Sequence, residues 1–237
     1  MTHELKKTAL CAACEQAGGK MVDFHGWLLP VQFDSIIAEH KAVREAAGMF
    51  DVSHMGQLRV TGPEALHFLQ YVSCNIIKSG ASEGTYFHIL TEQGTIIDDA
   101  IAFCLSLEEF LVVVNAACVY EYFSWFQKQA AAFKVTVTNE SEKWSMIALQ
   151  GPTAVGIADK IIPGVIDLPR FHIKAIELFG AKGYVTRTGY TGEDGVEIML
   201  PNGQIEALWN ALLKLGVKPC GLGSRDVLRL EAGYLLN

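Results

Sequence analysis

The chain has 237 residues, 19 Lys+Arg against 26 Asp+Glu, a formal net charge of −7, and 50% apolar residues. That apolar content excludes disorder, the acidic balance argues against holding nucleic acid by bulk positive charge, and no apolar run approaches the roughly 20 residues of a membrane span. The expectation is a soluble globular protein of one large or two smaller domains, domains running at roughly 100–200 residues.

In chain order, Lys6-Lys7 and the apolar stretch after them superficially resemble a signal peptide, but that stretch is too short and Glu15-Gln16 follow at once. A helix over Thr8–Ala17, stopped by Gly18-Gly19, is expected instead. Of the six cysteines only Cys11-x-x-Cys14 has suggestive spacing, and no second pair completes a zinc site. The pair reads as small helix-packing residues, and reduced thiols in a cytoplasmic compartment are expected. An extended stretch runs from Met21 to about Pro30, and Asp34 is placed to cap a helix through Ala47 that Gly48 ends. Met49–Gly56 reads as a loop or the beginning of a strand.

From Leu58 the pattern predicts strand 58–61, a helix from Pro63 to Ser73, strands 85–90 and 95–103 joined as a hairpin at Thr91–Gly94, and strand 110–114. A long helix to about Phe133, capped by Asn115, and a strand over 135–138 follow. The order β-α-β-β-β-α-β is close to a ferredoxin-like split βαβ unit with one extra strand. The rest supplies strand 145–149, a helix beginning at Gln150-Gly151-Pro152, strands 175–179, 182–188 and 196–200, helix 205–215 and a last helix from Ser224. The fold class is α+β with mostly antiparallel strands. Residues 56–140 are expected as a ferredoxin-like unit inserted in a discontinuous first α+β unit, 1–55 and 141–237.

Asp98-Asp99 interrupts an otherwise apolar strand. Alternation along a strand turns the two carboxylates to opposite faces, so they are not expected to act as a pair. Two readings stay open: a bulge or edge strand with both acids solvated, or one acid lining a pocket for a cationic or hydrogen-bond-donating ligand, since a covered carboxylate is costly unless something binds it. Asn115 is expected as a helix cap. On strand 196–200, Val196, Ile198 and Leu200 share one face and leave Glu197 with Met199 on the other. Glu197 is an ordinary surface residue or, with Met199 and Tyr190 around it, a carboxylate that accepts two parallel N–H donors from a guanidine-like heterocycle such as a pterin. Arg225 and Arg229 lie one turn apart, solvated or holding an anionic ligand tail. The glycine-rich segments 189–195 and 221–226 fit neither a phosphate loop nor a dinucleotide fingerprint, and no Gly-x-Ser-x-Gly elbow occurs. His25 and His54 lack metal-ligand spacing, so no metal site is expected.

Together, Lys20-Met21-Val22-Asp23-Phe24, Gly48-Met49-Phe50-Asp51-Val52-Ser53-His54-Met55-Gly56, Gly94-Thr95-Ile96-Ile97-Asp98-Asp99, Ala148-Leu149-Gln150-Gly151-Pro152, Arg187-Thr188-Gly189-Tyr190-Thr191-Gly192-Glu193-Asp194-Gly195 and Gly221-Leu222-Gly223-Ser224-Arg225-Asp226 resemble, in order, signatures of the glycine cleavage T-protein family of tetrahydrofolate-dependent aminomethyltransferases. The resemblance implies the T-protein folate-binding fold. It also implies a lipoyl-bearing H-protein as partner and tetrahydrofolate as acceptor of the one-carbon unit, with release of ammonia. It further implies Asp99 as the catalytic carboxylate beside the reacting folate nitrogens, Asn115 as a hydrogen-bonding folate ligand, Glu197 as the grip on the pterin edge, Tyr86 and Tyr190 as lining, Val113 as a further folate contact and Arg225 near the bound folate. Thr95 stands where the family commonly has a second glycine. Family members continue past the position of Asn237 into a C-terminal barrel domain, which this chain is expected to lack. The alternatives are a non-catalytic folate-binding accessory protein, whose Lys-Gly-Cys-Tyr-x-Gly-Gln signature is replaced here by Arg229-Leu230-Glu231-Ala232-Gly233-Tyr234, and a folate-dependent demethylase module.

Overall fold

The computed structural model describes residues 4–235. The extremities of the expected first unit, 1–3 and 236–237, lie outside the described residues. Elements follow in the order β1 (Lys6–Lys7), α1 (Cys11–Gln16), β2 (Lys20–Phe24), β3 (Trp27–Gln32), α2 (Ile36–Glu45) and β4 (Gly48–Asp51). Next come β5 (Gly56–Thr61), α3 (Ala65–Val72), β6 (Gly84–Leu90), β7 (Ile96–Ser106), β8 (Glu109–Val114), α4 (Val119–Ala130) and β9 (Thr136–Asn139). The chain then forms β10 (Trp144–Gln150), α5 (Ala154–Asp159), β11 (Ile173–Leu178), β12 (Ala181–Thr186), β13 (Gly195–Pro201), α6 (Ile205–Lys214), β14 (Lys218–Pro219) and α7 (Leu222–Glu231).

Two compact units emerge. One holds the chain up to His54, Trp144–Arg170 and the chain from Lys174; the other holds Met55–Lys143 and Phe171–Ile173. The three-residue excursion joins the second unit through backbone bonds, Gly84 N–H to Phe171 O at 2.6 Å and Ile173 N–H to Ser82 O at 2.9 Å, which no local sequence signal announces.

In the second unit the sheet order is β6-β7-β8-β5-β9, with every pair antiparallel. Leaving out the edge strand β6, the remainder β5-α3-β7-β8-α4-β9 has the ferredoxin-like strand order, so the extra strand sits between α3 and β7 in sequence and at the sheet edge in space. Alternation decides the faces. Leu58, Val60, Phe87, Ile89, Ala100, Ala102, Val112 and Val114 pack with Phe68, Leu69, Tyr122 and Phe126 of α3 and α4 into one core. The intervening residues, among them Tyr86, His88, Asp99, Ile101 and Val113, lie on the face away from those helices.

The first unit has a six-stranded sheet of order β11-β12-β13-β10-β4-β14 and a three-stranded sheet β1-β3-β2. Ile147, Leu149, Val196, Ile198 and Leu200 meet Ala154, Ala158, Leu208, Trp209 and Leu212 of α5 and α6. Glu197, paired across with Ala148 and Thr186, is therefore on the opposite face, as its alternation predicts.

Three local readings change. The extended stretch from Met21 is a hairpin, because His25 (φ 50°) and Gly26 (φ 82°) turn β2 into β3. The cap of α2 is Ser35, whose Oγ accepts the Ala38 N–H at 3.2 Å, while the Asp34 N–H is donated to Glu39 Oε1 at 3.1 Å. Gly48 begins a strand. Cys11 and Cys14 are buried, and burial pushes both thiols up; all six cysteines are free thiols. Among the described residues no helix is long and apolar enough to cross a membrane.

Candidate functional site

Asp98 and Asp99 alternate on β7, opposite Ile89 and His88, yet both carboxylates reach the side chain of Asn115. The pairing of β6 with β7 shifts from Ile89–Asp98 to Leu90–Ile96, so Ile97 is a bulged residue without a partner opposite. Asn115 Nδ2 donates to Asp99 Oδ1 at 2.7 Å and to Asp98 Oδ1 at 3.2 Å. Asp98 is 5% exposed and hydrogen-bonds Asp99, and Tyr86 also hydrogen-bonds the Asp99 carboxyl. The two acids alternate across β7 as expected, but the expectation that they do not act as a pair is corrected, because both are bonded to the same amide.

Asn115 is corrected with them. Its backbone is extended (φ −67°, ψ 142°), its side chain caps nothing, and a short 3₁₀ turn over Ala116–Cys118 precedes α4. Hydrogen bonds to carboxylates are roughly twice as strong as neutral ones, so two acidic acceptors win the amide from the helix end.

Burial, chiefly, and the adjoining Asp98 hold the Asp99 carboxyl above the usual carboxylate range, against the lowering effect of Tyr86 and Asn115. Such a pair retains a proton at a pH where an isolated carboxylate has lost it. Asp98→Asn removes both the like charge and the shared hydrogen bond, so Asp99 is expected to titrate at lower pH in that variant. Carboxyl carbon NMR titration reads this directly, and an unmoved Asp99 resonance would separate the two groups.

In the first unit, Thr188 Oγ1 donates to Glu197 Oε2. A hydroxyl has one proton, so the 2.6 Å contact between Thr186 and Thr188 runs from Thr186 to Thr188, and Glu197 Oε1 is left for another donor. The loop between β12 and β13 is fixed from three sides. Gln150 Nε2 donates to Thr188 O at 3.0 Å and Gln150 Oε1 accepts from Thr191 Oγ1 at 2.9 Å. Arg187 grips Asp194 with two bonds, 3.1 and 2.7 Å, and Arg44 reaches Thr191 O and Glu193 at 2.8 and 2.9 Å. A Cβ at Gly189 would lie 1.8 Å from Gln150 Oε1, so only glycine admits that approach.

This loop presents Tyr190, over whose ring the Arg225 guanidinium lies at 5.0 Å; Tyr190 also stacks on Tyr234 at 5.5 Å and hydrogen-bonds Leu235 O. Burial lowers the Arg225 pKa, opposed by Glu197 and Tyr190, and Nη1 has no hydrogen-bond partner. His54 is 6% exposed with Nδ1 likewise unpartnered. Leaving a buried donor or acceptor unmet costs about 1–3 kcal/mol, more for a charged group.

Burial and then the Arg225 charge push His54 down to about 3 from an ordinary 6.5. The unfolded chain thus binds a proton between those values that the folded chain does not. The His54 contribution to stability is complete above about pH 6.5 and is lost as pH falls toward 3, at up to about 1.4 kcal/mol per unit. Buried Asp51, raised above the carboxylate range, works in the opposite sense. Urea unfolding at pH 7 and pH 5 should show a smaller acid loss in His54→Phe than in the parent, and equal losses would assign the slope elsewhere.

A family profile described as the GCVT N-terminal domain matches residues 10–237. The chain belongs to the GCVT N-terminal domain family. It is 49% identical over 240 residues to the aminomethyltransferase of Chlorobaculum parvum, covering 98% of this chain and 66% of that protein, and 44% identical to that of Deinococcus deserti with the same coverage. The chain thus spans slightly under two-thirds of the curated relatives it matches. Among solved structures, the glycine cleavage system aminomethyltransferase T of Bartonella henselae superposes with a TM-score of 0.90 at 37% identity, over 98% of this chain and 64% of that one. A heterotetrameric sarcosine oxidase from Corynebacterium shares the fold alone, at TM-score 0.56 and 15% identity.

On this GCVT fold, Tyr86, Asp99, Val113 and Asn115 gather in the second unit, Val113 half-buried between Ile101 and Gln57 on the Asp99 face. Tyr190, Glu197 and Arg225 gather in the first. Sequence reasoning missed Thr188 as the orienting partner of Glu197 and Gln150 as the clamp on the loop. The Thr186-x-Thr188 spacing at the end of a strand neighbouring Glu197 was a usable signal.

Proposed function

We propose that this chain is the folate-binding portion of an aminomethyltransferase of glycine cleavage, taking the one-carbon unit from the aminomethyl thioether of a lipoyl-bearing H-protein to tetrahydrofolate. The carbon–nitrogen bond to the amine breaks and ammonia leaves. The carbon–sulfur bond breaks and returns dihydrolipoyl, and the carbon ends between two folate nitrogens as methylene-tetrahydrofolate. The observation that carries this reading is Asp99, on the helix-free face of the ferredoxin-like sheet, sharing the Asn115 amide with buried Asp98.

Departure of ammonia develops iminium-like positive charge, which a fixed, partly desolvated carboxylate stabilises better than water does. A carboxyl pair that shares a proton can also take the proton of a folate nitrogen and hand it on. A site for binding alone gains nothing from burying two adjacent acids, so the pair favours catalysis over an accessory role. Glu197, oriented by Thr188, accepts the paired N–H donors of the pterin edge. Tyr86, Val113 and Tyr190 supply apolar contact to the ligand, and Arg225 supplies a buried positive charge beside Tyr190.

Titration calorimetry of this chain with tetrahydrofolate tests the reading. Saturable one-to-one binding is expected, and no binding up to about 1 mM, an affinity of only about −4 kcal/mol, would overturn it.

A further inference from the structure

β6 is the edge strand of its sheet, and the segment that follows α3 runs along its open side. Ser73 and Ile89 form an antiparallel bridge, the Cys74 N–H is donated to His88 O at 3.1 Å, and Asn75 Nδ2 donates to Tyr86 O at 3.0 Å. The return bond departs from a regular ladder. The His88 N–H is donated at 3.4 Å to Cys74 Sγ, where an antiparallel pair would offer a carbonyl oxygen. Cys74 Sγ also lies 3.7 Å from His88 Nδ1. The thiol thus meets two nitrogens of one residue, on backbone held at three points. Cys74 is exposed, whereas Cys11, Cys14, Cys104 and Cys220 are buried and Cys118 is half-buried.

His88 decides what this thiol adjoins. It pairs directly with Asp99 across β6 and β7, and directly paired residues share a sheet face. The imidazole is therefore on the helix-free face that carries Asp99, and its ring stands edge-on to Tyr86 with centroids 5.6 Å apart. Cys74 lies at the rim of that face. An accessible thiol with an imidazole nitrogen in reach has both parts that thiol chemistry needs, a nucleophile and a base that takes its proton.

We propose that Cys74 is a thiol-modification site, which with His88 as base exchanges with small-molecule disulfides. His88 Nδ1 takes the Cys74 proton as Sγ attacks one sulfur of the disulfide. The old sulfur–sulfur bond breaks and a new one joins Cys74 to half of the reagent. The other half leaves as a thiolate and recovers the proton from His88. Cys74 is oxidised and the leaving sulfur is reduced, so the disulfide is the only oxidant required. The inference does not rest on the folate reading. Its size is bounded: a free thiol of pKa about 8.5 is about 3% thiolate at pH 7, so a base can raise the rate at most about 30-fold.

The test is the rate of reaction with dithiobis-nitrobenzoate at pH 7, followed by absorbance, for the parent chain, Cys74→Ser, His88→Gln and free N-acetylcysteine. One thiol of the parent is expected to react about tenfold faster than N-acetylcysteine, and Cys74→Ser to lose that phase. Glutamine keeps a polar side chain but is no base, so His88→Gln should react about tenfold more slowly than the parent. Its rate should rise roughly tenfold per pH unit between about pH 6 and 8, as a free thiol's does, and the parent's less steeply. Glutathione disulfide should add one glutathionyl group to the parent by intact mass, removable with dithiothreitol, and none to Cys74→Ser in the same time.

A fast phase that persists in Cys74→Ser would overturn the inference, and so would a parent rate no higher than that of N-acetylcysteine. An unchanged rate and pH profile in a His88→Gln chain that melts as the parent does would overturn it as well. If His88→Gln unfolds, the parent rate against N-acetylcysteine decides.

Discussion

Asp99→Ala is expected to lower turnover of the complete transferase by roughly 10²–10⁴-fold, the usual effect of removing a group that moves a proton or stabilises developing charge. Tetrahydrofolate affinity should change much less, because in the proposed reaction the carboxylate acts on the departing ammonia and the reacting nitrogens more than on the bound ground state. Asp99→Asn separates charge from shape: it preserves size and a hydrogen-bonding oxygen, so a rate near that of the alanine variant assigns the effect to charge. Neither variant should lower the melting temperature appreciably, since each relieves a half-buried acid crowded against Asp98. Wild-type turnover in Asp99→Ala would remove this residue from the mechanism.

Glu197→Ala is expected to act on binding. Hydrogen bonds to a charged acceptor contribute about 1.5–3 kcal/mol, so tetrahydrofolate affinity should fall roughly 10–100-fold, with less effect on the rate at saturation. The Thr188 hydroxyl, which donates to Glu197, would lose that acceptor and keep its contact with Thr186 Oγ1. Glu197→Gln keeps an acceptor for Thr188 but replaces one oxygen with a donor, which faces the pterin N–H groups donor to donor. If recognition uses both carboxylate oxygens, glutamine should be nearly as damaging as alanine. Unchanged affinity in both variants would place the pterin elsewhere.

Several features of the fold were legible because they depend on residues close in the chain. Alternation along Val196–Leu200 placed Glu197 away from the core, and the Thr91–Gly94 turn joined the β6–β7 hairpin. The β-α-β-β-β-α-β order identified the ferredoxin-like unit before any pairing was known. Errors fell where two local signals competed at neighbouring positions, as with Asp34 and Ser35 at the start of α2.

The candidate site divides along the same line. Sequence by itself singled out Asp99, Asn115, Glu197, Tyr190 and Arg225, and alternation placed Glu197 on the strand face away from the core. Only the tertiary structure joined Asp98 and Asp99, which keep their alternation across β7, through the one Asn115 amide that donates to both. Only it drew Asn115 from a helix end to two carboxylates, and laid the Arg225 guanidinium over the Tyr190 ring. Periodicity records which face a side chain takes. Which charges and unmet polar atoms meet there depends on pairings between distant segments, and no local pattern encodes them.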